Sequence, residues 1–289
     1  MDKKQDSFLT NYFQKHKVPR LAAVYLIDEY HNNKYSRLLH SHASELELYY
    51  AFSGEGYYIV DGRQYPIKKG DMVICNAGIL HGDDHTSDRS LCSYCCALTN
   101  VSLKNLPDNW LMERHITPVI SCGAFADKIG SIMELIYMLS LDMDRLGDVC
   151  DSLATSLLML THQLILSKER HIDKEHYRST DETANKIRDY LDQHYRQKLT
   201  IETVAGALDL VPSYVSHIFK QEIGISPIQY VLMRRFGEAQ SLLMDTDLSV
   251  NEISDLLGFA TTAHFNAMFK KHIGITPGQY RKSIKEMNS

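Results

Sequence analysis

The chain has no excess of positive charge. In 289 residues, 31 Lys and Arg stand against 36 Asp and Glu, a formal net charge of −5. The strongly basic footprint usual in nucleic-acid binders is therefore missing. Dividing the chain at residue 180 does not recover it, with 19 basic against 23 acidic residues before that point and 12 against 13 after it. Long apolar runs also look absent, and the opening segment MDKKQDSFLTNYFQKHK is too polar for a signal peptide. These two features lead to the expectation of a cytoplasmic protein without a membrane partner. A second CxxC pair is absent as well. Cys92-Ser-Tyr-Cys95-Cys96 resembles half a zinc site, but no CxxC or HxxxH follows at a spacing that would complete it. With Cys75, Cys122 and Cys150, these residues are expected to be reduced, small apolar side chains, the doublet lying on a buried strand. What remains is ordinary soluble composition, 44% hydrophobic and 23% charged, in a chain long enough for two domains.

What the chain does have is an internal repeat. Residues 223–230 read IGISPIQY and residues 273–280 read IGITPGQY, an offset of 50. The match runs back through Phe219-Lys220 and Phe269-Lys270. With one residue of slippage it reaches TIETVAGAL (200–208) and SVNEISDLL (249–257). Each copy is punctuated as helix, turn, helix. Ser249 and Glu252 make a capping box, and Thr200 is the matching N-cap. Val204, Ala207 and Leu208, like Ile253, Leu256 and Leu257, recur at helical spacing. Helical patterning resumes over 212–222 and 261–272, and Gly224 and Gly274 suit helix stops. Ser226-Pro227 and Thr276-Pro277 restart the chain with an N-cap and a first-turn proline. Pro227 to Met244 reads as one helix of about 18 residues, roughly 27 Å long. Such a strut could hold two reading helices near one turn of B-DNA apart, about 34 Å.

The stretch from about Asp181 to Lys285 resembles the DNA-binding domain of the AraC/XylS family of transcription activators. The resemblance rests on Phe219-Lys220, Gly224, Ser226-Pro227, Tyr230, Arg235, Ala239 and Leu242-Leu243 in the first part. In the second it rests on Ile253, Gly258-Phe259, Phe265, Phe269-Lys270, Gly274, Thr276-Pro277 and Tyr280-Arg281. It implies double-stranded DNA as partner, with half-sites in successive major grooves, and RNA polymerase as a further partner. It also implies base contacts from the outward side of each second helix. Those positions are Ser213, Ser216, His217 and Lys220 in one copy and Ala263, Asn266, Ala267 and Lys270 in the other. Asn266 can pair with adenine and the alanines can touch a thymine methyl, whereas neither face carries the arginine that reads guanine. Lys220, Arg234, Arg235, Lys270, Lys271, Arg281, Lys282 and Lys285 are candidates for phosphate contacts, Arg235 alternatively for bracing the two halves.

Before residue 120, short alternating strands are expected at 21–27, 45–52, 57–60, 71–74 and 91–98, separated by glycine turns. That pattern suggests a sandwich or jelly roll. His40-Ser-His42, Glu47 and Gly54, then Gly70, Asn76, Gly78 and His81, resemble the two motifs of a cupin sensor domain. The resemblance departs at Lys34, where glycine is usual, at Asn76, where proline is usual, and at His85, which fits the final polar position only loosely. His40, His42, Glu47 and His81 could hold a divalent metal, although no cofactor is required by the pattern. The same four with Tyr49 and Tyr58 could instead line a pocket for a small polar effector, a sugar at the level of family resemblance. Two amphipathic patterns over 121–168 suit either a homodimer contact, where the family has one, or a cover for the barrel.

The expected fold is thus two-domain α+β. A cupin-like β-barrel occupies 1–120, a helical dimerisation element 121–168, a linker 169–181, and an all-α domain with two helix-turn-helix units 182–289. The expected function is that of an effector-responsive, DNA-binding transcription regulator, an activator and not an enzyme. Alternatives are a metal-dependent cupin enzyme carrying a DNA-binding tail, and a regulator with no small-molecule effector.

Overall fold

The computed structural model of the chain describes residues 13, 17–28, 38–83, 91–113, 116–169 and 182–287. Its first half holds β1 (Arg20–Ile27), β2 (Leu46–Ser53), β3 (Glu55–Val60), β4 (Arg63–Lys68), β5 (Asp71–Cys75), β6 (His81–Asp83), β7 (Cys92–Thr99) and β8 (Val119–Ser121). They make a five-stranded antiparallel sheet in the order β1-β7-β2-β5-β8 and a three-stranded one in the order β4-β3-β6. The two-residue alternation of a strand gives β2 two buried faces. Tyr49 and Ala51 pack between the sheets with Tyr58, Val60, Ile67, Val73, Cys75 and Cys95. Leu46, Leu48 and Tyr50 point the other way, with Met72, Ile74, Cys96 and Leu98.

That second face is covered by α1 (Ala126–Ser140) and α2 (Met143–Glu169). Ile129, Met133 and Ile136 of α1, and Ala154, Leu157, Leu158 and Ile165 of α2, are buried in the same core. The helices therefore close the barrel's own core. Their outer side remains apolar, with Leu135, Met138, Leu141, Met143 and Val149 exposed. One expectation needs correcting here. The stretch Met143–Ser167 of α2, with a mean hydropathy of 1.4, is long and apolar enough by length and composition to cross a membrane. Its scattered polar residues (Asp148, Asp151, Ser152, Thr155, Ser156) hide the run from inspection. The six cysteines are buried thiols, and burial pushes Cys95 and Cys96 well up from the ordinary thiol range, Cys96 to about 12.

The second half is helical: α3 (Glu182–His194), α4 (Ile201–Ala207), α5 (Pro212–Ile223), α6 (Pro227–Asp245), α7 (Val250–Leu256), α8 (Thr262–Ile273) and α9 (Pro277–Met287). Pairs α4–α5 and α7–α8 are the two helix-turn-helix units, and α6 runs through both. Phe219 and Tyr230 meet edge to face at 5.5 Å in the first unit. In the second, Phe236 contacts Phe259, Phe265 and Phe269 at 5.6, 6.5 and 6.0 Å. The caps form as the sequence indicates. Ser249 Oγ accepts from Glu252 N at 3.2 Å while Glu252 Oε2 accepts from Ser249 N at 2.7 Å. Thr200 and Thr203 reciprocate in the same way. Gly224 and Gly274, both with φ of 93°, end α5 and α8.

The barrel and the helical unit share a core. Leu38, Leu39, Ile59 and Leu80 from the barrel side are buried among α3, α5, α6 and the rest of the helical domain. Fully burying a side chain of this kind is worth roughly 1.5–3 kcal/mol, so four of them make a substantial contact. The β3–β4 hairpin turns at Asp61-Gly62, both at positive φ, as the type I′ hairpin requires. That turn places Asp61 beside Arg188 of α3, Oδ1 to Nη1 at 3.3 Å, with the Arg188 guanidinium also donating to the Asp61 carbonyl.

Candidate functional site

The four cupin-motif residues come together at one end of the barrel. Glu47 sits on the inward face of β2, and its carboxylate is gripped from two sides, with His42 Nε2 3.1 Å from Oε1 and His81 Nε2 3.0 Å from Oε2. His40 and His81 are bridged through their backbones, each N–H donating to the other's carbonyl at 2.9 Å. Their rings lie 4.5 Å apart. One possible ligand atom from each of His40, His42, Glu47 and His81 lies within 4.8 Å of the others. Glu47 is almost wholly buried. Burial opposes its charge, but the surrounding histidines prevail and hold its carboxyl well below the usual range. The centre thus contains a fixed buried carboxylate.

The ring orientations suit a metal. The Nδ1 atoms of His40 and His81 each donate to a backbone carbonyl, Leu38 and Ile79 respectively, at 2.8 Å. A ring so held presents Nε2 to the centre, the arrangement metal-ligating histidines commonly have. Both nitrogens of His81 face acceptors, the Ile79 carbonyl and Glu47. Such a pair is satisfied by a proton on each nitrogen or by a cation between Nε2 and the carboxylate. Three imidazole nitrogens and one carboxylate fit zinc, nickel, manganese or iron. A bound ion would add Lewis-acid charge and rigidity there.

Tyr49 and Tyr58, grouped with these residues from the sequence as pocket lining, are core residues. Their rings contact each other at 4.5 Å and are buried, filling the space between the sheets. A cavity of about 460 Å³ lies instead on the seam between barrel and helical unit. Arg63, Tyr65, Ile79 and Met112 line it on one side, with Asn185, Arg188 and Asp189 of α3 on the other. Lys34 and His85 lie outside the described residues, as do the opening residues and most of the linker.

The helical unit presents its two second helices outward. Ser213, His217 and Lys220 on α5 are exposed and Ser216 is half-buried; on α8, Ala263, Ala267 and Lys270 are exposed and Asn266 is half-buried. Tyr214 and His264, exposed one position along each helix, belong to the same faces and were not singled out. Their position in the first turn of each helix was the available signal. Arg235 and Arg281 are not on these faces. Arg235 is buried and donates to the carbonyls of Tyr195 (2.6 Å), Gln197 (2.5 Å) and Gly258 (3.1 Å), which ties α3–α4 to the second unit. Arg281 donates to Leu243 O at 3.2 Å and Thr246 O at 3.4 Å at the end of α6. Arg234 lies over the Tyr195 ring at 4.6 Å, with Glu238 at 3.4 Å. The buried Arg235, its donors taken by three carbonyls, fills the bracing role that the sequence offered as the alternative to a phosphate contact.

Comparison with known proteins agrees with both halves. A helix-turn-helix domain family model matches residues 204–283 and a cupin domain model matches residues 28–96. The chain is 30% identical over 273 residues to the HTH-type transcriptional regulator YdiP of Escherichia coli (strain K12), covering 93% of this chain and 88% of that one. The chain belongs to the AraC family of HTH-type transcriptional regulators. It is a DNA-binding transcription regulator with a cupin domain. Across 81% of its length this regulator is also 22% identical to the lactose operon transcription activator of Staphylococcus xylosus, covering 82% of that chain. Among solved structures it is similar to the C-terminal domain of AraT from Geobacillus stearothermophilus. There the identity is 38%, the TM-score 0.34, and the coverage 35% of this chain and 84% of that one.

Proposed function

We propose that this regulator is a ligand-responsive transcription activator. Its input is read at His40, His42, Glu47 and His81, and its output is the occupancy of two DNA half-sites by α5 and α8. The carrying observation is the convergence of three imidazoles and one buried carboxylate within 4.8 Å, in a chain whose two reading faces point outward. The occupant of the centre is a divalent metal. The two half-sites lie in successive major grooves, and the exposed apolar strip of α1 and α2 is the surface for a homodimer. RNA polymerase is the downstream partner, and the work is done in the cytoplasm, where the DNA is. Similarity to the lactose operon transcription activator supports activation.

Calorimetric titration of the metal-stripped protein with Zn(II), Ni(II), Mn(II) and Fe(II) tests the centre. Binding of one of them at one site per chain, abolished in Glu47→Gln, is expected. Equal binding by that variant would move the site elsewhere. A second reading is favoured by the seam cavity. A sugar-sized effector could sit there against Arg63, Tyr65, Asn185 and Arg188, touching both domains at once. Thermal shift against a sugar panel, lost in Arg188→Ala but retained in Glu47→Gln, would select that reading. Neither reading makes the chain an enzyme; turnover dependent on added metal would do so.

A further inference from the structure

We propose that the histidine centre is coupled to the DNA-binding unit through the three residues Leu38-Leu39-His40, so that a metal in the centre locks the barrel onto α6. This rests on the metal reading of the centre given above and adds how the centre would regulate. His40 is at once a member of the centre and the end of the docking segment. Its backbone is pinned to His81 by two hydrogen bonds, and its Nδ1 donates to the Leu38 carbonyl. Leu38 and Leu39 are buried in the core of the helical unit, 2% and 0% exposed. The Leu38 N–H donates to Gln240 Oε1 of α6 at 2.9 Å, a bond across 202 residues of sequence.

Gly237 makes the contact possible. One turn before Gln240 on α6, it lies against the Leu39 carbonyl, and a Cβ there would overlap that carbonyl and crowd the His40 nitrogen. A glycine inside a helix costs about 1 kcal/mol relative to alanine, so its presence at the contact marks a close approach. From Gln240 the contact continues into the second unit. Gln240 Nε2 donates to Tyr280 Oη at 3.4 Å, and the Tyr280 ring meets Phe269 of α8 edge to face at 5.8 Å. The centre and the second reading helix are thus joined by packed, hydrogen-bonded groups.

A ligated His40 ring could no longer turn, and the Leu38 carbonyl it holds would be fixed with it. Fixing one end of a segment lowers the conformational entropy still to be lost when its other end docks. Metal binding and docking would therefore favour each other, and by linkage each must strengthen the other by the same factor. Both reading faces stay exposed in the docked arrangement, so locking would set the relation of the two units without covering them.

Hydrogen exchange on the full-length protein tests this, with Zn(II), Ni(II), Mn(II) and Fe(II) added in turn and calorimetry on the same samples. For the metal that binds, exchange in peptides spanning 38–40 and 237–240 is expected to slow by about tenfold, within the usual range of coupling. In Gly237→Ala the slowing at 237–240 should vanish, and metal affinity should fall by the same factor. Should that variant fail to fold, Leu39→Ala serves in its place. Metal binding without any change at 237–240, or with the change intact in both variants, would overturn the coupling and leave the centre standing. No binding by any of the four metals would overturn both.

Discussion

At the residue scale the chemistry concentrates in few side chains, and those the sequence made legible share one property. His40, His42, Glu47 and His81 are polar residues at a spacing that apolar packing does not need, and their resemblance to the two cupin motifs singled them out. Leu38 and Leu39 could not be found that way. They are ordinary apolar residues, and their meaning depends on a surface about 200 positions further along. Arg235 was ambiguous for a related reason, because a guanidinium can serve a phosphate or three carbonyls, and only burial decides. Replacing it by alanine leaves the carbonyls of Tyr195, Gln197 and Gly258 without their donor. A loss of about 3 kcal/mol in chemical unfolding is expected. A change below 0.5 kcal/mol, with a reduced salt slope for DNA binding, would return it to the phosphate role.

At the element scale, the helices of the two repeat copies start at Thr200, Ser226 and Ser249 and stop at Gly224 and Gly274, as their punctuation indicates, and the five anticipated strands appear within two residues of their expected bounds. Three strands were not anticipated. β4, reading RQYPIK, carries Pro66 and two charges, which argue against a strand; it is the edge of the small sheet, where a proline costs no ladder bond. β6 and β8 are only three residues each, too short to display alternation. The capping box of α7 gives a prediction with a sign. Ser249 holds the Glu252 carboxyl below its ordinary range. A lowered folded pKa contributes stability that is present above the unfolded value, about 4.3, and lost as pH falls through the folded one. Ser249→Ala should therefore lower the thermal unfolding midpoint at pH 7. The difference from the parent should shrink on acidification, and one independent of pH would show that the Glu252 half of the box adds nothing.

At the scale of the whole molecule, the succession of a β-sheet cupin half and a helical helix-turn-helix half was legible from motif and repeat, but the docking of the two halves was not. Nor did the net charge mark a DNA binder. The exposed Lys220, Lys270, Lys271 and Lys282 are scattered among acidic neighbours that cancel them in any count. Double replacement of Lys220 and Lys270 by alanine should lower the slope of log affinity against log salt by about 2, and an unchanged slope would take both away from the phosphates. The apolar strip on α1 and α2 carries a separate expectation. Met138→Asp with Leu141→Asp should shift a dimer to monomer in sedimentation without loss of helix content, and an unchanged mass would leave the strip without that role.

The central claim is that α5 and α8 read DNA together from one chain. It is tested most directly by selecting bound duplexes from a random pool with the full-length protein, across a salt series, and sequencing them. Enrichment of two short half-motifs about 10 base pairs apart is expected. One of the two should lose its preference in Asn266→Ala and the other in His217→Ala. Binding that is independent of sequence, or enrichment of a single motif untouched by either replacement, would contradict a tandem reader.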